Sequence, residues 1–329
     1  MNQNLKSSLS PNITLLVLSL VGVLFSGLSL FLGEILLPII IASLALIYLY
    51  DYTNKKIFSV VSSSLIVLVN FVFLILKISY SFFSLQAIII AFLIVYSFYR
   101  RSSKAEASYI MMLISAAFLL ISAMFFGMAA MGEYTFDAAL DYYTKQWEIL
   151  RDIFSKVSFE LYADAFSQMG ISVSTDEFAK IFDQQKNYII SYLLIASFAI
   201  VGFSFKLFSF VGSKLADDTT TFRSWRFITT NVFAYFYMIL IFASIFVNSS
   251  VGVFAITVSN LYNVFVVIYA YVGFNYALSL LSHRMKPGIA LLLIAAALIM
   301  LPSFALQLLS MLGVLFTIRK NNEPSPGAV

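Results

Sequence analysis

The side chains with the means to hold a polar ligand in this sequence are uncharged amides set inside apolar runs. Asn260, Asn263, Tyr271 and Asn275 stand at offsets of zero, three, eleven and fifteen within one run, which places all four on one face of a helix. An amide is costly to leave in hydrocarbon, so this face is expected against other helices or a wet cavity. Beyond Pro302, the residues Ser303, Gln307, Ser310, Gly313 and Thr317 trace a second small-polar face, while Asn70 and Gln86 place single amides in two other runs. Together these groups can line a cavity for a small polar solute, with Asn260, Asn263, Tyr271, Asn275 and Gln307 as the candidate ligand-binding set. The same residues can instead hydrogen-bond packed helices to one another, at about a kcal/mol or less per contact.

Other chemistries find little to work with. His283 is the only histidine and sits beside Arg284 and Lys286 at the end of an apolar run, where it reads as an interfacial loop residue. There is no cysteine, so thiolate metal sites, disulfides and cysteine nucleophiles are excluded. No HExxH, P-loop, G-x-S-x-G or dinucleotide glycine pattern occurs. No nucleophile, base and orienting group can be named together, which argues against an enzyme and against a metal or cofactor. Glu34, between two apolar runs, reads as a turn residue rather than a proton carrier, and no charge is expected buried.

The elements that would position these residues follow from composition. Of 329 residues 61% are apolar and 11% charged, with a mean hydropathy of +0.94, far from the balance of a water-surrounded domain. The fold class expected is an all-α polytopic transmembrane bundle. Eight spans fall at roughly 14–32, 35–50, 57–76, 80–98, 107–132, 188–212, 228–248 and 252–281. A ninth apolar region, 288–318, is broken by Pro302 and reads as either one kinked span or a hairpin of two short ones. No small-x-small cleavage site follows the first run, so it is expected to stay as an anchor. Gly22, Ser26, Ser29 and Gly33 share a face of the first span, and Ala116, Ala123, Gly127 and Ala130 share one of the fifth, which suits close helix packing.

Charge orients the spans. With a cytoplasmic amino terminus, eight crossings put Lys6, Lys55, Lys56, Arg100, Arg101, Lys104, Lys214, Arg223, Arg226, Arg284 and Lys286 inside, and leave Lys77 in a short outer loop. Arg319 and Lys320 then favour the hairpin for 288–318. The expected division is 1–132 as an amino-terminal membrane part, 133–187 as an outer hairpin, 188–318 as a carboxy-terminal membrane part and 319–329 as a cytoplasmic tail. The expected location is a bacterial inner membrane, and no feature points to nucleic acid.

The segment 133–187 carries ten acidic against five basic residues. Within it Phe136, Leu140, Tyr143, Trp147, Leu150, Phe154, Val157 and Leu161 recur at steps of four and three, an apolar stripe along a helix. Asp141 with Lys145 and Asp152 with Lys156 are acid-first pairs at helical spacing. Gly170 suits a helix stop, and Ser174-Thr175-Asp176-Glu177 reads as a capping box opening a second helix. The stripe can lie over the bundle ends or in the headgroup layer. It can also meet a protein partner or a second copy, with Trp147, Leu150 and Phe154 as candidate contact residues.

Paired amino-terminal spans, an outer amphipathic segment with Trp147, the basic stretch Phe222-Arg223-Ser224-Trp225-Arg226, and the closing Leu308-Leu309-Ser310-Met311-Leu312-Gly313 followed by Arg319-Lys320 occur in this order. In that layout the chain resembles the YybS-like family of bacterial membrane proteins, a domain of unknown function. Val314 and Leu315 stand where that family often carries an aspartate. The family is similar in layout to the substrate-binding subunits of energy-coupling-factor vitamin importers, so the resemblance implies a transport role by analogy.

Overall fold

A computed structural model describes residues 36–54, 57–75, 82–100, 104–170, 172–215, 229–247 and 252–322, with residues 17, 18, 20–22 and 24. Much of the expected first span, including Ser26, Ser29 and Gly33, lies outside these residues. So do Lys6, Glu34, Lys55, Lys56, Lys77, Arg101, the Phe222–Arg226 stretch and the end of the tail. Among the described residues the chain is all-α, with no strand. The helices are α1 (Leu37–Asn54), α2 (Phe58–Ile75), α3 (Phe83–Arg100), α4 (Lys104–Met131), α5 (Phe136–Gln168), α6 (Thr175–Gln184), α7 (Ile189–Leu215), α8 (Asn231–Val247), α9 (Val253–Ser282), α10 (Pro287–Met300) and α11 (Pro302–Asn322). A 3-10 turn, Gln185–Tyr188, joins α6 to α7.

About 20 apolar residues in helix are needed to cross the roughly 30 Å of hydrocarbon. Four helical stretches are long and apolar enough: Ala107–Met131, Thr175–Lys214, Val253–Ser282 and Pro302–Arg319. Leu37–Tyr52, Phe58–Val72, Phe83–Phe98, Asn231–Val247 and Pro287–Met300 are apolar but shorter.

The chain divides into two compact units, one of Met1–Ile189 with Ala199–Arg226, the other of Ile190–Phe198 with Phe227–Val329. In the first, α1 is buried on nearly every side: Leu37, Ile40, Ile41, Leu44 and Ile47 are wholly enclosed, which is where a helix apolar all round belongs. Ala87, Ile90, Ala91 and Ile94 of α3 pack on it, and Phe205 and Phe208 of α7 join the same core. Residues 133–187 fold as the expected helical hairpin. Thr135 caps α5, its Oγ1 accepting from the Ala138 N–H at 3.2 Å. Gly170 ends the turn after α5 at φ +72°, a conformation glycine adopts without strain. The capping box at α6 forms, with the Ser174 N–H donating to Glu177 Oε2 at 2.9 Å.

In the second unit, Pro302 resolves the alternatives for the last apolar region. Leu301 leaves the helical region (φ −138°, ψ 63°), as a residue before proline tends to do, and two helices result. Gly273 with Gly313 and Tyr276 with Phe316 advance together along α9 and α11, so these two helices run parallel. Tyr237 with Ser310 and Thr229 with Thr317 advance in opposite senses, so α8 runs antiparallel to α11. The chain must therefore turn back in α10, and 288–318 is a hairpin. Tyr237, Phe265, Tyr269 and Val314 form the core, with the Tyr237 and Tyr269 rings stacked at 5.1 Å.

Candidate functional site

The candidate ligand residues separate along their helices. Asn260 is buried, and its Oδ1 accepts from both the N–H (3.1 Å) and the Oγ of Ser191. Its Nδ2 donates to the Ile256 carbonyl at 2.8 Å. The Ser191 N–H lies in the first turn of α7, among the donors that a helix start leaves unpaired. Tyr271, half-buried, meets the Phe198 ring edge-on at 5.6 Å. Ser191 and Phe198 are seven residues apart on α7, so the face from Asn260 to Tyr271 is the seam along which α9 meets the first two turns of α7. Asn263, between them in sequence, is half-buried. Asn275 is exposed and turns its Nδ2 back to the Tyr271 carbonyl at 2.8 Å.

On α11 the second polar face splits. Ser303 and Gln307 are exposed. Ser310 is buried and accepts from the Tyr237 hydroxyl at 2.9 Å, and Thr317 pairs with Thr229 at 2.8 Å. Gly313 and Gly273 mark a contact of backbone on backbone. A Cβ added to Gly273 would meet the Leu309 carbonyl oxygen, and one added to Gly313 would meet that of Tyr269. In place of the expected convergence of Asn260, Asn263 and Asn275 with Gln307, Asn260 is bonded to α7, Asn263 is half-buried, and Asn275 and Gln307 are exposed.

The first unit holds polar groups that the sequence reading passed over or mentioned only singly. Along the α3–α4 seam, the Phe82 N–H donates to Ser122 Oγ (3.1 Å) and Gln86 Nε2 donates to Ser115 Oγ (2.8 Å). Ser97 and Ser108, both buried, stand further along the same two helices. Gln86 is 0% exposed, and its Oε1 is buried with no hydrogen-bond partner among the described residues. The available signal was serine every seven residues at Ser108, Ser115 and Ser122. The small-residue face of Ala116, Ala123, Gly127 and Ala130 lies one position round the helix and drew attention instead. Of that face, Gly127 touches Ala139 and Tyr143 of α5, while Ala130 is exposed.

The expectation of no buried charge is corrected by Asp51, which is 6% exposed. Its Oδ2 accepts from the Ser59 N–H at the start of α2, an orientation that the helix dipole favours, and its Oδ1 is buried without a partner among the described residues. In the sequence Asp51 falls one residue beyond the expected span 35–50, four residues before the basic Lys55-Lys56 pair.

In the hairpin, two of the three candidate partner contacts are used internally. The Trp147 and Phe154 rings lie 4.6 and 5.2 Å from the Phe182 ring of α6, whereas Leu150 stays exposed. Trp147 Nε1 donates to Asp183 Oδ1 at 3.0 Å, and Lys186 lies over the indole at 5.6 Å. The Trp147 hydrogen bond, joined by Lys186 and Arg151, holds the Asp183 carboxyl below its ordinary value. Among the described residues the acid-first pairs Asp141–Lys145 and Asp152–Lys156 are not closed as salt bridges. Asp152 pairs with Arg151 (3.2 Å), which also reaches Asp183 (3.8 Å).

No family model, curated protein or solved structure matches the chain. Among the described residues no group of three or more His, Cys, Asp or Glu could hold a metal ion.

Proposed function

We propose that this is a polytopic protein of a bacterial cytoplasmic membrane, with its amino terminus inside, that binds or moves a small polar solute and performs no covalent chemistry. The eight-span reading, the positive charge of alternate loops and the resemblance to the YybS-like family support it. The observation that carries the solute reading is Gln86. A buried amide oxygen without a donor costs about 1–3 kcal/mol, and a bound polar molecule would offset that cost. The proposed site therefore moves from the α9 amides to the serine-lined α3–α4 seam around Gln86.

Thermal-shift screening of the purified protein against vitamins, nucleosides and lipids tests this. A true ligand at 100 times its Kd adds about 2.7 kcal/mol to the stability of the wild type, and Gln86→Leu abolishes the shift. Failure of every compound, or an equal shift in Gln86→Leu, sinks the reading. A second reading, a non-enzymatic scaffold or regulator working through the hairpin, is favoured by the exposure of Leu150. Unchanged oligomer size after Trp147→Ala and Leu150→Ala counts against it.

A further inference from the structure

Asp51 is buried in the last turn of α1, and only half of its carboxylate is accounted for. It is 6% exposed, its Oδ2 accepts the Ser59 N–H, and its Oδ1 has no hydrogen-bond partner among the described residues. The Ser59 bond has a structural reason. Ser59 is the second residue of α2, and Ile57 before that helix has no side-chain acceptor, so Asp51 caps α2 from the neighbouring helix. A neutral asparagine could make the same bond, so capping does not explain a negative charge.

Burying a lone carboxylate costs far more than burying an amide, and a buried charge is stable only where an opposite charge meets it. The start of α2 presents a partial positive charge, about half an elementary charge. The end of α1, where Asp51 itself stands, presents a similar partial negative charge, because its last carbonyls find no N–H in their own helix. The two dipoles oppose each other at the carboxylate, and a full positive charge is still required at Oδ1.

No described side chain supplies it. α2 carries no titratable residue. On α3, Tyr96 is exposed and stacks on Phe92, and on α7 Lys206 and Lys214 are exposed. On α1 the Tyr48 hydroxyl is bonded to Ser63 at 2.6 Å. The salt bridges among the described residues all lie in the α5–α6 hairpin and the turn after it.

What this seam does offer is oxygen. Tyr48 and Asp51 are three residues apart on α1 and Ser63 and Ser59 four apart on α2, so their two bonds lie one turn apart along antiparallel helices. Ser62, 2% exposed, falls beside them on α2. Carboxylate, hydroxyl and helix-end carbonyl oxygens are the donors that small hard cations take. One carboxylate balances one charge, so the ion that fits is monovalent.

We infer that Asp51 anchors a monovalent-cation site where α1 meets α2, its Oδ1 receiving a proton or a sodium ion from solution. The two share one chemistry, a single positive charge delivered to a buried oxygen. A proton forms an O–H bond at Oδ1 and leaves the carboxyl neutral, whereas a sodium ion leaves the carboxylate ionised and draws on neighbouring oxygens. Ionisable groups enclosed among membrane helices mark ion and proton paths. The site is built from α1 and α2, so it stands whether or not the α3–α4 seam takes a solute.

The test compares the wild-type chain in detergent with Asp51→Asn, which keeps an acceptor for the Ser59 N–H and carries no charge. Thermal unfolding is followed in sodium chloride against choline chloride at equal ionic strength, and then in choline alone as pH is lowered. Each response is read as wild type minus Asp51→Asn, which removes the contribution of Asp183 and the other acids. The expected result is a wild-type midpoint raised by several degrees, relative to the variant, in one arm. A rise with sodium identifies the metal ion, and a rise on acidification without a sodium effect identifies the proton. Equal responses of the two proteins in both arms overturn the inference, because a basic side chain of the chain itself then balances Asp51. Should Asp51→Asn fail to fold, modification of wild-type Asp51 by dicyclohexylcarbodiimide, an apolar reagent for protonated carboxyls, is read by mass spectrometry. Modification in choline is expected, with protection by added sodium if the metal ion is the ligand, and no modification at any pH overturns the site.

Discussion

The α9–α11 seam and the α5–α6 seam each join two helices, yet they are built from opposite materials. At α9–α11 the backbones meet through Gly273 and Gly313, and the flanking polar groups, Tyr237 with Ser310 and Thr229 with Thr317, are neutral and buried. At α5–α6 large rings keep the helices apart, and the polar groups, Asp183, Lys186, Arg151 and Trp147, are charged or half-exposed. Hydrocarbon gives helices little hydrophobic reason to associate, so close van der Waals approach and closed hydrogen bonds do the work. Where water is at hand, burying aromatic area is favourable and ion pairs keep much of their hydration, though each adds little.

That contrast can be broken most sharply at Gly273. Gly273→Leu forces the two backbones apart, and the expected loss is at or above the roughly 3 kcal/mol that marks the upper end of overpacking costs. Thermal unfolding in detergent would read it, and a variant as stable as wild type would mean that the helices do not touch there.

A smaller effect is expected at the α7–α9 seam. A double-mutant cycle with Ser191→Ala and Asn260→Leu should return a coupling of roughly 0.6–1.7 kcal/mol, the range for hydrogen bonds between membrane helices. A coupling of zero would mean that the bonds are not formed in lipid.

The smallest effect lies in the hairpin and depends on pH. The folded Asp183 carboxyl titrates below its ordinary value of 3.8. Its pairing therefore stabilises the hairpin above that pH and is lost as pH falls through the depressed folded value. With Trp225→Phe leaving one tryptophan, Trp147 fluorescence should change over that acidic window in Asp183 protein and stay flat in Asp183→Asn. An identical acid transition in both would assign it to another group.

The hairpin was legible because its signals are local: Gly170, the Ser174–Glu177 capping box and the periodic stripe each act within a few residues. The stripe's division was not legible, since nothing near Trp147 or Leu150 says which of them Phe182 will cover. Likewise Pro302 declared a break, but only the parallel run of α9 and α11 made it a hairpin. The candidate site fared worse. Helical offsets placed Asn260 and Tyr271 on one face correctly, and could not say that Ser191 and Phe198 would occupy it.

By itself the sequence determined that the chain is helical and where the caps of the hairpin fall, because backbone hydrogen bonding in hydrocarbon and local capping depend on near neighbours. Tertiary structure decided how other helix starts are satisfied. The N–H groups of Ser59, Phe82 and Ser191 donate to Asp51, Ser122 and Asn260, which lie 8, 40 and 69 residues away in the chain. A donor without water must find an acceptor wherever packing brings one, and that distance is invisible to any local pattern.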